Sequence, residues 1–520
     1  MFKNHPKGLL LAALSNMGER FGYYIMNAVL ALFLCSKFGL SDETSGLIAA
    51  LFLAAIYVMS LVGGIIADRT QNYKGTIMSG LLVMALGYVC LSVPVLATPE
   101  NNTALLSFTI FALILISVGN GLFKGNLQAI VGQMYDNFER DAAREGTERL
   151  KWAQGQRDAG FQIFYVFINV GALAAPFIAP LLRSWWLNVH QLTYNADLPR
   201  LCHAFINGTL TQTDTANLQT LASQAQLSGY HFTDMAAFCQ QYLDVFNTGI
   251  HYSFIASVLM MLVSLLIFFF SKHLFPTPGK KEEVVVEQYT EEEKRTMAAE
   301  IKQRMYALFA VLGISVFFWF SFHQNGQSLS FFARDFVRTD ALAPEIWQAV
   351  NPFFVITLTP IIMWIFAHFT KKGNPISTPR KIVYGMGIAG LAYGFLMILS
   401  MVKGWPSAEV FTSMAPAVRA GWKASPLVLI LTSFLLTVAE LFISPLGLSF
   451  VSKVAPKHLQ GLCQGLWLGA TAVGNCLLWI GPLMYNKWPL WECWLVFMIV
   501  CFISMGVMYA MVKWLERVTA

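Results

Sequence analysis

Charge is what this sequence has least of. Only 12% of its 520 residues are Asp, Glu, Lys or Arg, while 56% are hydrophobic and the mean hydropathy is +0.55. Such a chain cannot dress a water-facing surface, which excludes a soluble globular protein and points to a polytopic membrane protein. Cysteine is sparse too: eight residues show no metal-ligand spacing, and Cys35, Cys90, Cys463, Cys476, Cys493 and Cys501 sit in or beside apolar runs as small packing groups. No His/Cys cluster and no nucleophile with a base is evident, and GNGLFKGN (119–126) lacks the strand context and spacing of a phosphate loop. No enzyme activity, metal or cofactor is therefore expected. No cleavable signal is evident before Lys37, so the first apolar segment is expected to stay in the membrane. The net charge of +6 does not argue for nucleic-acid binding, because the basic residues gather in short loops that can orient helices.

What is present is a succession of apolar runs long enough to cross a bilayer as helices. Twelve are found, near 8–35, 43–68, 76–97, 104–134, 158–183, 247–271, 305–333, 345–370, 381–402, 424–453, 460–485 and 489–513. An all-α membrane protein is expected, both ends on one side. With the N-terminus inside, the inner segments carry 24 Lys and Arg and the outer ones nine, which predicts cytoplasmic termini. The charges left well inside a span are Glu19, Arg20, Lys124 and Glu440, joined by His323; Asp68, Asp158 and Glu492 lie near span ends.

Residues 271–304, with KKEE and EEEKR, read as a cytoplasmic linker carrying one amphipathic helix. It divides the chain into 1–270 and 305–520, two bundles of six spans with a substrate cavity near the midplane between them. The stretch 183–246 is polar, outside by the charge count, and too long for a simple connection; a small helical cap is expected. Cys202 and Cys239 lie in it, where oxidation is permitted and a disulfide is possible.

The first run is interrupted by polar groups. Asn16, Glu19, Arg20, Tyr23, Tyr24 and Asn27 fall at i, i+3, i+4, i+7, i+8 and i+11, one face of a helix. Each charge costs roughly 3 kcal/mol on insertion scales, more than an inter-helix packing contact warrants, so the stripe is expected to face a functional cavity.

The second run ends in GGIIADRT (63–70), which resembles the loop signature of the major facilitator superfamily. ERFGYY in the first run, GNGLFKGN in the fourth, RDAGFQIFYVFINVG (157–171) in the fifth, VNPFFV (350–355) in the eighth, AELFISPLGLSF (439–450) in the tenth and GLWLGA (465–470) in the eleventh resemble the proton-dependent oligopeptide transporter family within it. The resemblance implies the major facilitator fold, 12 transmembrane helices in two six-helix bundles, in a plasma membrane, the inner membrane of a bacterium. It implies a secondary active transporter, monomeric in the lipid bilayer, that takes up di- and tripeptides with protons by alternating access. Glu19, Arg20 and Lys124 match the family's proton-coupling positions. Tyr23, Tyr24, Asn27, Tyr57, Asn169, Trp319, Asn351, Glu440, Ser444 and Trp467 would line the peptide site, with Glu440 receiving the amino terminus.

Three positions depart from that pattern. Asn16 replaces the first glutamate, Asn27 an arginine for the substrate carboxylate, and His323 a seventh-span glutamate. Two readings follow: proton drive through Glu19 with His323 as a second site, since imidazole titrates near neutrality, or weakened coupling and a non-peptide small organic or anionic substrate. A nutrient receptor that binds without flux is a third.

Overall fold

The structure is a computed structural model that describes residues 4–98, 100–195, 197–210, 212–227, 234–276, 291–326, 328–338, 349–414, 416–456 and 459–519. It is helical: among the described residues eleven helices are long and apolar enough to cross a membrane, and a twelfth span is the first helix, Leu9–Phe38, bent by 50° between Leu30 and Leu32. The chain is an integral membrane protein. The next spans are Asp42–Thr70, Tyr73–Ser92, Asn102–Glu145, Thr147–Val189 and Met235–Ser271. The second half supplies Glu291–Phe322, Val350–Lys371, Thr378–Lys403, the broken pair Leu427–Leu441 and Ser444–Val454, the broken pair Gln460–Cys476 and Ile480–Lys487, and Leu490–Thr519.

Boundaries differ from the apolar runs where polar residues extend a helix. The fourth and fifth spans run far past the apolar stretch, to Glu145 and from Thr147, because residues 135–157 are good helix formers stopped only at Gly146, whose φ of +123° suits glycine alone. The seventh helix begins at Glu291, so EEEKR belongs to that span and not to a separate linker helix; 277–290 lie outside the described residues. The same helix stops at Phe322 and yields to a 3-10 turn at His323–Gly326, where Asn325 and Gly326 break the pattern. Between the fifth and sixth spans stand two short helices, Leu198–Ile206 and Gln212–Gln224.

Without a hydrophobic force between helices in lipid, small residues and hydroxyls set the packing. The first span meets the sixth through Gly22, where a Cβ would lie 2.6 Å from the Met261 methyl, and through Ser257 Oγ donating to Gly22 O at 2.9 Å and Ser15 Oγ to Ser264 O at 3.1 Å. That contact leaves its polar stripe facing the other way.

The two halves meet at the end that carries both chain termini. The second span crosses the eleventh at Gly64, where any Cβ would lie 2.5 Å from Gly461 O. One turn on, Asp68 accepts the amides of Gly461 (3.0 Å) and Leu462 (2.7 Å), capping the N-terminus of the eleventh span's first helix and drawing the Tyr73 hydroxyl onto the same oxygen. Asp158 of the fifth span does more. Its buried carboxylate takes Lys381 Nζ at 2.7 Å, Lys453 Nζ at 2.9 Å, Ser449 Oγ at 2.6 Å and Thr378 Oγ1 at 3.0 Å, all from the second half. Its neighbour Arg157 holds Asp136 (2.5 Å) and Glu139 (2.8 Å) in the fourth span and reaches Ser452 O in the tenth (3.2 Å). This end is therefore closed by ionic contacts between the halves.

Removing Asp158 strands buried Lys381 and half-buried Lys453, a loss of about 3–5 kcal/mol for a buried pair. Asp158→Ala is expected to open the closed end: spin labels at exposed Thr70 and Lys372, in a background without native cysteines, should give longer distances than the parent in double electron–electron resonance. An unchanged distance distribution would show the latch to be dispensable.

Cys202 and Cys239 bring their buried thiols into hydrogen-bond contact between the short helix Leu198–Ile206 and the sixth span, and are unbonded. The hydrogen bond with the Cys239 sulfur, and then burial, raise the Cys202 pKa, so its thiol is a poor nucleophile, and forming a disulfide needs an external oxidant such as a disulfide that exchanges with the pair. Protein made in an oxidising compartment should resist maleimide at both positions until reductant is added; labelling of both without reductant excludes the bond.

Candidate functional site

The polar stripe of the first span runs from burial to exposure. Asn16, Glu19, Arg20 and Tyr23 are buried, Tyr24 is half-buried and Asn27 is exposed, so the cavity widens toward the end away from the termini. Glu19 and Arg20 form a two-pronged pair, Nε to Oε2 at 2.5 Å and Nη2 to Oε1 at 2.6 Å. Asn120 Nδ2 adds a third donor to Glu19 Oε1 at 2.7 Å. Arg20 also lies over the Tyr23 ring, 4.6 Å from its centroid, and Tyr23 meets Tyr24 edge to face at 5.3 Å.

Lys124 is not part of this pair. Its ammonium lies 5.3 Å from the centroid of the Tyr57 ring and forms no ion pair among the described residues. The carboxylate's partners are Arg20 and Asn120, because an adjacent guanidinium offers two parallel bonds that a single ammonium a span away cannot match. Asn120 stands in the fourth-span motif one turn before Lys124, with no charge to mark it as a partner of Glu19.

Glu440 sits where the tenth span breaks. The helix ends at Leu441, and Ser444 starts the next with Pro445, which has no amide to continue the ladder. The carboxylate is buried; Oε1 accepts the Tyr165 hydroxyl at 2.5 Å and Oε2 accepts Asn351 Nδ2 at 2.7 Å, itself held 3.1 Å from Thr437 Oγ1. Every donor is neutral, and Glu440 has no basic partner among the described residues. The carbonyls at the end of the preceding half-helix add negative potential beside it. A negative charge so placed favours an incoming cation. Tyr165 was not among the expected site residues, yet it joins the halves here, one turn before buried Asn169, whose Nδ2 bonds Tyr165 O at 3.1 Å. Ser444 is buried beyond the break.

Aromatic rings close the other wall. Trp319 and Trp467 meet edge to face at 6.4 Å, and Gly447 is obligatory because a Cβ would lie 2.0 Å from the Trp467 ring. His323 stacks on Trp319 at 4.9 Å, with Nδ1 2.5 Å from Asn475 Oδ1. Since an amide oxygen only accepts, Nδ1 carries the hydrogen of this bond, which leaves Nε2 as the nitrogen at which the ring can gain or lose a proton. Asn475 lies just before the break in the eleventh span and was another residue the motifs did not single out.

This arrangement, a two-halved helical bundle closed at one end around buried charges, is that of a membrane transporter. Solved structures share the fold: peptide transporter POT in complex with sulfate, at TM-score 0.58 and 22% identity over all of this chain and 96% of that one, and a POT family transporter in complex with 5-aminolevulinic acid, at TM-score 0.59 and 19% identity over all of this chain and 98% of that one. The sequence profile of the POT family matches residues 74–292 and 282–488, and the chain belongs to that family; it is a transporter and not an enzyme. Its relatives include the peptide transporter YePEPT of Yersinia enterocolitica subsp. palearctica, 27% identical over 91% of this chain and 87% of that protein, and dipeptide and tripeptide permease B of Shigella dysenteriae, 27% identical over 89% and 83%.

Gly447→Ala should displace the Trp467 ring, costing about 1–3 kcal/mol of overpacking strain. Thermal unfolding in detergent should show a lower midpoint and altered tryptophan emission, whereas Gly155→Ala, with no atom within 4 Å of its new Cβ, should change neither. Equal midpoints for the two variants would refute the contact.

Proposed function

We propose that the protein takes up di- and tripeptides together with protons, by alternating access through the cavity between its halves. The observation that carries this is Glu440: a buried carboxylate held only by neutral donors at a helix break, suited to the α-ammonium group of a short peptide. The printed names of the relatives, peptide transporter and dipeptide and tripeptide permease, support the same substrate class. The Trp319 and Trp467 walls and the half-buried Tyr24 and Tyr57 offer sequence-tolerant surface for side chains. The neutral Asn27 at the cavity mouth supplies amide bonds, not charge, to the other end of the substrate.

The 24-to-nine distribution of basic residues supports cytoplasmic termini in a plasma membrane, the inner membrane of a bacterium. In that orientation the latch at Asp158 seals the cytoplasmic side, and this is the outward-facing state. Glu19 is the proton site we favour. Protonation removes the charge that anchors Arg20, which then turns toward the cavity, while Lys124 over Tyr57 is already free to take the next carboxylate. His323 offers Nε2 as a second acceptor, beside the wall formed by Trp319. The molecule works as a monomer in this scheme, since the cavity lies within one chain.

In proteoliposomes, uptake of a labelled dipeptide should rise with an inward proton gradient and be competed by other short peptides. Glu440→Gln should weaken peptide binding at least ~10-fold, the loss of one charge-assisted contact. Glu19→Gln should keep counterflow and lose acid-driven accumulation. Accumulation untouched by Glu19→Gln would remove Glu19 from the coupling, and dipeptide affinity untouched by Glu440→Gln would remove the ammonium site.

A further inference from the structure

A second cavity lies within the first half, at the end away from the termini. It has a volume of about 410 Å³ and is walled by the last turn of the first span, the loop after the third, the start of the fourth, the short helix Leu198–Ile206 and the sixth span. That is ample for a small organic ligand. It shares no residue with the Glu440 site.

The wall holds a buried cation without an anion. Lys37, 6% exposed, forms no ion pair among the described residues. Its ammonium donates to His251 Nε2 at 2.9 Å and lies over the Phe33 and Phe38 rings, 5.2 and 5.7 Å from their centroids. His251 is fixed in the neutral form that can accept this bond, because Nδ1 donates to Leu91 O at 2.6 Å. One ammonium hydrogen is thus spoken for, and the terminal carbonyls of the first helix offset part of the charge. A neutral imidazole does not replace a counter-ion for a cation taken out of water.

The same wall has the opposite polarity elsewhere. Asp244, half-buried, has no ion pair among the described residues, and Asn102 Oδ1 is buried without a hydrogen-bond donor. Two other polar side chains of the wall are already engaged: Asn247 bonds Ser36 and Leu243, and His203 donates Nε2 to Ser36 O at 2.7 Å, with burial holding its imidazole below the ordinary range and hence neutral; Thr98, Asn207, Gln240 and Thr248 add neutral polar groups to the lining. The groups of this wall with an unmet charge or a buried unmet acceptor are one cation, one carboxylate and one carbonyl oxygen around a single space. We propose that this cavity is a second binding site for a small zwitterion of the amino-acid or short-peptide type, its carboxylate on Lys37 and its ammonium on Asp244 and Asn102 Oδ1. No covalent step is involved. The site is independent of the central one and does not require that peptides be the transported substrate.

The test uses full-length protein in detergent or nanodiscs and labelled L-alanyl-L-alanine, titrated by calorimetry and scintillation proximity. Glu440→Gln, which disables the central site, should leave one saturable class of binding. Lys37→Met and Asp244→Asn, each made on that background, should weaken it at least ~10-fold. In the Glu440→Gln protein, N-acetyl-dialanine and dialanine amide, each lacking one charge, should compete at least ~10-fold less well than dialanine. Asp244→Asn alters no packing volume, so its loss of binding cannot be misfolding, and retained thermal midpoints check Lys37→Met. Total loss of binding in Glu440→Gln, or residual binding indifferent to both cavity variants, overturns the site. Equal competition by N-acetyl-dialanine overturns the zwitterion assignment. Failure of peptide transport with Lys37-dependent binding intact would separate this inference from the transport reading.

Discussion

A charge removed from water must be compensated where it sits, and that constraint organises this molecule. Three buried carboxylates meet it in three ways. Glu19 is matched within its own half by Arg20 and Asn120. Asp158 is matched entirely by the opposite half, through Lys381, Lys453, Ser449 and Thr378. Glu440 is matched by neutral donors alone, one from each half. The first arrangement holds an ion pair within one half, the second closes one end of the cavity, and the third leaves a demand for positive charge.

These arrangements are coupled through the geometry of the helices. Glycine contacts bring the second span onto the eleventh, and Asp68 then caps the helix it meets, so the closed end combines backbone proximity with ionic contacts. At the middle, Tyr165 spans the halves to reach Glu440. Under the proposed function, a ligand ammonium at Glu440 would compete for the oxygen that Tyr165 holds, a differential contact between states of the kind needed to shift a conformational equilibrium. The breaks in the tenth and eleventh spans fall beside Glu440 and Asn475, where neighbouring helices and polar side chains can meet the freed backbone groups.

Much of this was legible beforehand. Runs of apolar residues longer than a bilayer is thick can satisfy their backbone only as helices, so the twelve spans could be counted from the sequence. Glu19, Arg20 and Glu440 stood out because ionised groups are rare at such depth. Asn120, Tyr165 and Asn475 did not, because amides and phenols are unremarkable in composition and acquire a role only from the partner a distant span brings. Which of Arg20 and Lys124 answers Glu19 was open for a related reason: charges on a sequence say nothing of which neighbour has the better geometry. Helix ends were read short at 135–157, where polar residues continue a helix beyond the apolar stretch.

The sequence by itself determined the solvent, the helical class and the residues whose charges need an explanation, because these follow from local composition and period. Which end of the cavity is closed, which donor answers each carboxylate, and the existence of a second cavity holding Lys37, Asp244 and Asn102 were decided only by the tertiary structure. Each depends on distances between residues as far apart in the chain as Asp158 and Lys453, and no local pattern encodes such a distance.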